Sequence, residues 1–263
     1  MTNSDWKKEW EKRPIEIIDE TELNRGSRID DEKIISYTVE ELLKFIDPKK
    51  EDVLLDAGCG SGENIILLSK MVKKVVGVDF SEGMVNRATK KIKEHEIENA
   101  ECYVGDVTDL KFEDGSFDKV ICISVLQYLD DKSCEKALSE LIRVAKKDGY
   151  VLLYVKNSFS FYSFSNHLIH TLRIGKLLRK IGIIKDYKSP EDYHRSYSWY
   201  IRKIESFGGE IIEISSFNVF PKYIPSTILV PLLRFEMKMR NNAFLSKLIR
   251  NIGVNYRIKL VKQ

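Results

Sequence analysis

The sequence predicts an α/β fold built on a doubly wound, mostly parallel sheet. Residues 53–57 form an apolar run that is too short for a surface helix and suits a strand buried on both faces. A glycine-rich stretch over 58–62 and a helical pattern over 63–72 follow, and a second apolar run over 75–79 ends in a carboxylate. A strand, a glycine turn, a helix and a second strand in this order are typical of a βαβ unit.

The glycine turn and the acid after the second strand predict a nucleotide-like cofactor. Gly58, Gly60 and Gly62 allow backbone angles that other residues avoid, and they let the chain approach a ligand closely. The helix that follows offers free N–H donors. Asp79 lies 21 residues after Gly58, the separation at which the second strand of such a unit presents an acid to ribose hydroxyls. Asp79 is therefore the ribose-binding candidate.

Two carboxylates beside the turn indicate the charge of that cofactor. The dinucleotide fingerprint places its third glycine where this chain has Glu63, and the third glycine here comes early, at Gly62. Asp56 and Glu63 would repel a pyrophosphate, whereas they suit an ammonium or sulfonium group. We therefore expect a cationic cofactor.

Residues 55–62, Leu-Asp-Ala-Gly-Cys-Gly-Ser-Gly, resemble motif I of the class I S-adenosylmethionine (SAM) dependent methyltransferases. Three later stretches resemble, in order, the second-strand motif, the third-strand end, and the fourth strand with the loop that passes the sulfonium: 78–84, 104–107 and 117–129. The likeness is greatest to the quinone-biosynthesis-like and small-molecule branch (methyltransferase type 11). It implies an enzyme with SAM as cofactor and a seven-stranded Rossmann-like methyltransferase sheet.

The resemblance also implies a set of cofactor-binding residues at the carboxyl ends of strands one to four. In the family the acid corresponding to Asp79 holds the ribose, residues after it flank the adenine, and an acid at the position of Asp106 contacts the adenine amino group. The implied residues are Asp56, Gly58, Cys59, Gly60, Gly62, Asp79, Phe80, Met84, Gly105, Asp106, Val107, Ser124 and Val125. Structural alternatives stay open: Asp56 also suits a strand-end cap, Asp106 a turn acid, and Phe80 and Met84 the core.

Catalysis by such a protein asks mainly for positioning, because the sulfonium already carries an activated methyl group. An alcohol or a protonated amine as acceptor adds the need for a base, which contributes about 10²–10⁴-fold. His194 is one catalytic candidate, since related small-molecule methyltransferases carry a similar His-Arg pair before a helix such as the one predicted over 198–207. A helix cap or a loop contact is the structural alternative for His194.

Tyr128 is the second catalytic candidate. It stands where the branch often carries a histidine, and a tyrosine there suits hydrogen bonding to the acceptor or packing against it. No Asn or Asp followed by Pro-Pro-Tyr comes after the fourth strand, so methylation of bases or glutamine amides of that familiar kind is not expected.

The chain divides into a predicted N-terminal helical lid, 1–47, and a SAM-binding methyltransferase domain, 48–263. Within the lid, Trp6 and Trp10 lie one helical turn apart, and residues 31–46 form a second helix candidate. Three further strands are predicted at 149–156, 210–217 and 256–262, leaving amphipathic helical inserts at about 157–195 and 218–254. In the family these connections build the acceptor pocket, while membrane contact and oligomer contact remain alternatives.

Charge is distributed unevenly along the chain. Residues 151–263 carry 19 Lys and Arg against 7 Asp and Glu, whereas the first 150 residues carry 24 against 33. The basic part suits an anionic partner, such as a phosphate-bearing acceptor, a nucleotide-linked sugar, a lipid surface or RNA, and a solvated helix face is the alternative. We expect methyl transfer to an oxygen or nitrogen of a small anionic acceptor such as a sugar or glycan intermediate.

Three other functions remain open. A lipid or quinone methyltransferase would act at a membrane surface. An RNA methyltransferase is disfavoured because no RNA-binding module is recognisable, so nucleic acid is not expected as a partner. A SAM-binding regulatory protein would bind the cofactor without turnover.

Cysteine usage and the lack of targeting signals bear on location. The four cysteines, Cys59, Cys102, Cys122 and Cys134, follow no metal or disulfide pattern, so no metal is expected and the thiols suit a reducing compartment. No apolar N-terminal signal is visible, and no run approaches the roughly 20 apolar residues that span a bilayer. We expect a cytoplasmic protein, with peripheral membrane contact as an option.

Overall fold

A computed structural model describes residues 32–156, 193, 195–217, 235 and 255–263 of the chain. Its strands are β1 (Val53–Ala57), β2 (Lys74–Asp79), β3 (Ala100–Val104), β4 (Phe117–Ile123), β5 (Ala145–Lys156), β6 (Gly209–Phe217) and β7 (Asn255–Lys262). Its helices are α1 (Glu32–Ile46), α2 (Glu63–Ser69), α3 (Glu82–Glu94), α4 (Asp131–Val144) and α5 (Tyr197–Ser206), with a 3₁₀ turn over Leu126–Tyr128.

The strands form one sheet in the order β3-β2-β1-β4-β5-β7-β6. Strands β1 to β5 pair in parallel, and β7 runs antiparallel to both of its neighbours. The predicted seven-stranded, mostly parallel sheet is therefore confirmed. Because β1 has β2 on one side and β4 on the other, the winding reverses between β1 and β4. In open α/β sheets a ligand binds at the carboxyl ends of the strands at such a point.

Alternating side chains of the central strands build a core on each face of the sheet. Leu55 of β1 faces a cluster that includes Leu138 of α4 and Ile204 of α5. Its neighbour Leu54 faces the opposite cluster, which includes Phe45 of α1 and residues of α2 and α3. Both faces of the central strands are thus apolar, which explains why 53–57 reads as a continuous apolar run.

Two predicted boundaries are wrong by several residues. Helix α2 ends at Ser69, not at residue 72, because the chain leaves the helix in a turn in which the Met71 N–H donates to the Leu68 carbonyl at 2.8 Å. Strand β5 begins at Ala145 rather than Gly149, because Ala145 pairs with Phe117 across a register shift that the sequence pattern does not reveal.

The helix predicted over 31–46 is confirmed as α1. Its last turn places Phe45 and Ile46 in the core, on the same face of the sheet as α2. Residues 1–31, including Trp6 and Trp10, and almost all of both predicted inserts lie outside the described residues, so the lid, the inserts and the division of the chain at residue 47 stay predictions. Among the described helices, none has the length and apolar character needed to cross a membrane.

Candidate functional site

The glycine turn after β1 lies at the carboxyl edge of the sheet. Gly58, Gly60 and Gly62 all have left-handed backbone angles, with φ of 85°, 54° and 88°. The N–H groups of Gly58 and Cys59 donate to the Val78 carbonyl at 2.7 and 3.0 Å, which ties the turn to the end of β2. A Cβ on Gly58 would lie 2.2 Å from a methyl carbon of Val125, so only glycine fits between the turn and the segment after β4.

Asp79 ends β2 and joins the turn to the following helix. One carboxylate oxygen accepts the Gly60 N–H at 2.9 Å, and the other accepts the Ser81 N–H at 2.9 Å. The residue is only 7% exposed. A carboxylate has about four acceptor positions, so two backbone bonds leave capacity for ribose hydroxyls. Asp79 therefore has a structural role in the turn, and this role adds to the ribose contact that the sequence predicts for it.

Asp56 is completely buried within β1, next to the turn. A hydrogen bond with Cys102, burial and the charge of Asp56 raise the pKa of the Cys59 thiol well above its ordinary range. Both sulfurs occupy the space left by Gly77 of β2, where a Cβ would lie 2.9 Å from Cys59 Sγ and 3.0 Å from Cys102 Sγ. The Cys59 thiol thus stays protonated and packs in the core. The predicted cofactor contact of Cys59 would therefore come from its backbone atoms.

The charge of Glu63 is offset inside the fold. Its carboxylate accepts from the Ser61 hydroxyl at 3.0 and 3.1 Å and pairs with the Lys91 ammonium at 2.6 Å. Both charged side chains are mostly buried, with 13% of Glu63 and 24% of Lys91 exposed. Glu63 therefore attracts a cationic cofactor less than the sequence indicated, because its partner comes from α3, 28 residues along the chain.

The side of the turn near β3 is open and partly apolar. Val104 is 52% exposed at the end of β3, and the Gly105 N–H that follows donates to the Asp79 carbonyl at 3.0 Å. Asp106 accepts the Thr108 N–H at 2.8 Å, so it forms the turn that was the structural alternative for it, and its predicted adenine contact remains a prediction. Val107 is buried in the core. An exposed apolar strand end beside Asp79 suits a flat ring such as adenine.

Met84 is the buried centre of a small cluster in which Phe80 and Tyr128 pack against it. Phe80 follows Asp79 directly, whereas Tyr128 comes from the segment after β4. The structure thus brings together a predicted adenine neighbour and a predicted catalytic residue. Met84 fills core space, whereas Phe80 and Tyr128 are both partly exposed, so either can line a ligand.

The segment after β4 crosses the carboxyl edge beside the turn. Ser124 has a left-handed backbone with φ of 60°, which is uncommon outside glycine, and its N–H donates to the Tyr154 carbonyl of β5 at 3.1 Å. Val125 then packs on Gly58 so closely that its side chain leaves no room for a Cβ on that glycine. Strained residues of this kind cluster at ligand sites. Ser124 and Val125 therefore lie beside the glycine turn, and the sulfonium contact predicted for them remains a prediction.

His194 lies outside the described residues, so its catalytic role stays a prediction. Its neighbours Tyr193 and Arg195 are described, and both bind the segment after β4. The Tyr193 N–H donates to the Gln127 carbonyl at 2.7 Å, and the Arg195 guanidinium donates to the Leu126 and Leu129 carbonyls. In the sequence, Arg195 stood out only as the neighbour of His194. Its contacts span more than 60 residues, and no local pattern could have found them.

Lys156 is a second residue that the sequence did not single out. It ends β5 two residues beyond Tyr154, whose carbonyl binds Ser124, so it lies at the carboxyl edge next to the segment after β4. Burial lowers the pKa of its ammonium group. The signal was present in the sequence, because a charged residue that ends an apolar strand, like Asp79 after β2, marks the edge where sites form. No group of three potential metal ligands occurs among the residues that the structure describes.

Comparisons with known proteins agree with this geometry. Residues 54–149 match a family model described as a methyltransferase domain. The uncharacterized methyltransferase YcgJ of Bacillus subtilis is 32% identical over 130 residues, which is 48% of this chain and 51% of YcgJ. The chain thus aligns with about half the length of that relative. The solved structure of YcgJ has the same fold, with a TM-score of 0.55 at 19% identity over 86% of this chain and 96% of that chain.

Two other relatives align over more of their length. The uncharacterized protein MJ0638 of Methanocaldococcus jannaschii is 28% identical over 235 residues, 88% of each chain. A demethylmenaquinone methyltransferase of Bacillus cereus is 29% identical over 173 residues, 64% of this chain and 69% of that protein.

The doubly wound sheet, the glycine turn and Asp79 define a cofactor-binding α/β domain of the methyltransferase class. The family model matched by residues 54–149 and these relatives support a class I SAM-dependent methyltransferase. SAM is its cofactor, and the residues present fit it: Asp79 is a buried carboxylate at the turn, with acceptor oxygens of the kind that ribose hydroxyls bind, and the exposed end of β3 is open to an adenine ring.

Proposed function

We propose that this methyltransferase transfers the SAM methyl group to an oxygen or nitrogen of a small anionic acceptor, bound over the carboxyl ends of β4 and β5. A phosphate-bearing sugar or glycan intermediate is the acceptor class that this proposal favours. The observation that carries it is Lys156, a partly buried cation at that edge.

The position of Lys156 suits it to bind an acceptor anion. Side chains alternate along β5, so Lys156 shares a face of the sheet with Tyr154, which packs on Phe45 of α1. Arg257 of β7 lies opposite Tyr154 on that face, with its guanidinium carbon 5.3 Å from the tyrosine ring centre. Burial disfavours the charged ammonium, and an anion bound beside it would favour that form. The basic composition of residues 151–263 also supports an anionic acceptor.

The chemistry asks the protein to bind, orient and exclude water. SAM supplies a methyl group on a sulfonium, and transfer to an acceptor hydroxyl or amine releases S-adenosylhomocysteine (SAH) and one proton. The segment 124–129 borders the place where donor and acceptor meet, so its shape fixes their alignment. His194 and Tyr128 remain the candidates for receiving the proton or holding the acceptor.

A quinone-like acceptor is the second candidate, favoured by one specific observation. The Bacillus cereus relative that aligns over 173 residues is a demethylmenaquinone methyltransferase. In this case methyl transfer would go to a ring of an apolar substrate, and the apolar and basic stretch over 220–250 would contact lipid.

The test is a labelled-methyl screen in which the full chain is incubated with methyl-labelled SAM and pools of sugar phosphates, lipid extracts and RNA. The proposal predicts labelling of a small polar product that disappears when the pool is first treated with phosphatase. Lys156→Met should lower that labelling severalfold, whereas Lys147→Met, which removes an exposed lysine from the opposite end of β5, should not. Labelling confined to the lipid pool would favour the quinone-like acceptor, and labelling of RNA would contradict both.

A further inference from the structure

Arg195 is a buried cation whose hydrogen bonds reach the segment after β4 and the start of α4. It is 4% exposed, and its Nε donates to Asp131 Oδ1 at 2.8 Å. Its two terminal nitrogens donate to the Leu126 carbonyl at 3.1 Å and the Leu129 carbonyl at 2.6 Å. The guanidinium carbon lies 4.9 Å from the ring centre of Trp199 and 5.5 Å from that of Tyr193, so aromatic rings border the cation.

These contacts fix the short turn Leu126–Tyr128. Within the turn, the Leu126 carbonyl accepts the Leu129 N–H at the long distance of 3.4 Å, and buried carbonyls need well-placed donors. Arg195 donates to the Leu126 and Leu129 carbonyls, and the Tyr193 N–H donates to the Gln127 carbonyl at 2.7 Å. The carbonyls on both sides of Tyr128 in the chain, those of Gln127 and Leu129, are thus held by Tyr193 and Arg195.

Both ends of the turn Leu126–Tyr128 contact the cofactor site. Val125, just before the turn, packs directly on Gly58 of the glycine turn. Tyr128, its last residue, packs on Met84 together with Phe80. A shift of the turn would therefore move the wall beside the sulfonium and the wall beside the adenine together.

We infer that Arg195 is a positioning residue for SAM, acting through the turn Leu126–Tyr128 and not by touching the cofactor. This inference rests on the proposed placement of SAM at the carboxyl edge. The planar guanidinium reaches two carbonyls and a carboxylate at once, which a lysine ammonium on a flexible stem does not reproduce in the same geometry. Arg195→Lys therefore keeps the charge and loosens the turn.

Arg143 offers a matched control within the same chain. It donates to the Phe112 and Leu110 carbonyls at 2.8 and 2.9 Å and pairs with Glu140 and Asp114, so it makes the same kinds of bond as Arg195. The loop that it holds leads into the amino end of β4, whereas the turn held by Arg195 follows the carboxyl end. Arg143→Lys should lower stability without reaching the cofactor site.

The experiment compares wild type, Arg195→Lys and Arg143→Lys as full chains. SAH affinity is measured by calorimetry well below the lowest melting temperature, and amide hydrogen exchange is followed over residues 125–131. We expect both variants to melt earlier, but only Arg195→Lys to bind SAH more weakly, by about tenfold, with faster exchange in the turn. Equal affinity loss in both variants, or unchanged affinity in Arg195→Lys, would overturn the inference.

A second variant keeps the test decisive if Arg195→Lys does not fold. Asp131→Asn removes only the charged acceptor, whose side chain is 69% exposed, and leaves both carbonyl bonds in place. Faster exchange at the turn with a weaker SAH affinity, by about threefold, would support the inference, and no change in either would contradict it. If the wild-type chain did not bind SAH, the placement of SAM would be overturned as well. If only the acceptor screen failed, the proposed acceptor would be wrong, and the inference about Arg195 would stand or fall on the SAH measurements alone.

Discussion

The carboxylate of Asp79 accepts a hydrogen bond from the backbone N–H of Gly60, at 2.9 Å. This bond joins the end of β2 to the middle of the glycine turn after β1. The same carboxylate accepts the Ser81 N–H, so one side chain fixes both the turn and the start of α3. A residue expected to bind ribose thus also builds the loop on which the rest of the cofactor would lie.

Replacing Asp79 by asparagine should weaken SAM binding strongly. The amide has one acceptor oxygen instead of two, so its NH₂ group would face a backbone N–H and one of the two bonds would be lost. We expect SAM affinity to fall by at least about tenfold and the free energy of unfolding by about 1–3 kcal/mol. Calorimetry with SAM and thermal unfolding without it measure the two effects separately.

Asp118→Asn is the control for that variant. Asp118 likewise accepts a backbone N–H, from Val53 at 2.9 Å, and pairs with Lys146, but it lies near the amino end of β4. The Asp118→Asn variant should have a lower free energy of unfolding and an unchanged affinity for SAM. If the two variants lose affinity to the same extent, Asp79 has no special place in the site.

Gly58→Ala should disrupt the site by steric overlap with Val125. The new Cβ would lie 2.2 Å from a Val125 methyl, in a backbone conformation that alanine rarely adopts. Gly208→Ala has a similar φ of 78° but open space around it, so it should cost only about 1 kcal/mol. The overlap also predicts partial rescue of Gly58→Ala by Val125→Ala, read as a positive coupling in a double-mutant cycle of unfolding free energies. Strictly additive effects would show that the two residues do not press on each other.

Acceptor binding should depend on pH through Lys156. Burial lowers the pKa of its ammonium from the ordinary value of 10.5, so the charge that would attract an anion is lost at a lower pH than for an exposed lysine. Affinity for a phosphate-bearing acceptor should therefore fall as pH rises through that lowered pKa. Phosphate itself is fully ionised there, because its second pKa is about 6. Lys156→Arg stays protonated and should hold its affinity at high pH. A flat profile for wild type would argue against Lys156 as the anion partner.

Gln127→Met should stabilise the fold. Gln127 is 4% exposed, and its side-chain carbonyl oxygen accepts no hydrogen bond from any residue that the structure describes. Methionine has a similar length and removes the cost of burying that oxygen, about 1–3 kcal/mol. We expect a higher melting temperature in thermal unfolding without ligand. A lower one would mean that the amide has a partner that methionine cannot replace.

Much of the fold was predictable because both faces of the central strands are apolar, β1 and β3 lead into a glycine, and β2 ends in an acid. The apolar strands and α1 follow from such local patterns, whereas the count of seven strands and their mostly parallel pairing were implied by the resemblance to the methyltransferase family. The start of β5 was missed by four residues, because pairing of Ala145 with Phe117 depends on a register shift between strands and not on the residues themselves.

The candidate site was predictable where it is local and not where it depends on distant contacts. The glycine turn and Asp79 form within one βαβ unit, and their spacing identifies them. The pairing of Glu63 with Lys91 and the binding of Arg195 to the segment after β4 join residues 28 to 69 positions apart. Only the folded chain brings such residues together, so the sequence overstated the free charge of Glu63 and indicated no role for Arg195 itself.

The most direct test of the central claim is a crystal structure of the wild-type chain with SAH. We expect the ribose hydroxyls within hydrogen-bonding distance of the Asp79 carboxylate, the adenine against Phe80 and the end of β3, and the sulfur beside Ser124 and Val125. SAH bound elsewhere, or at this edge with its ribose away from Asp79, would contradict the proposed site.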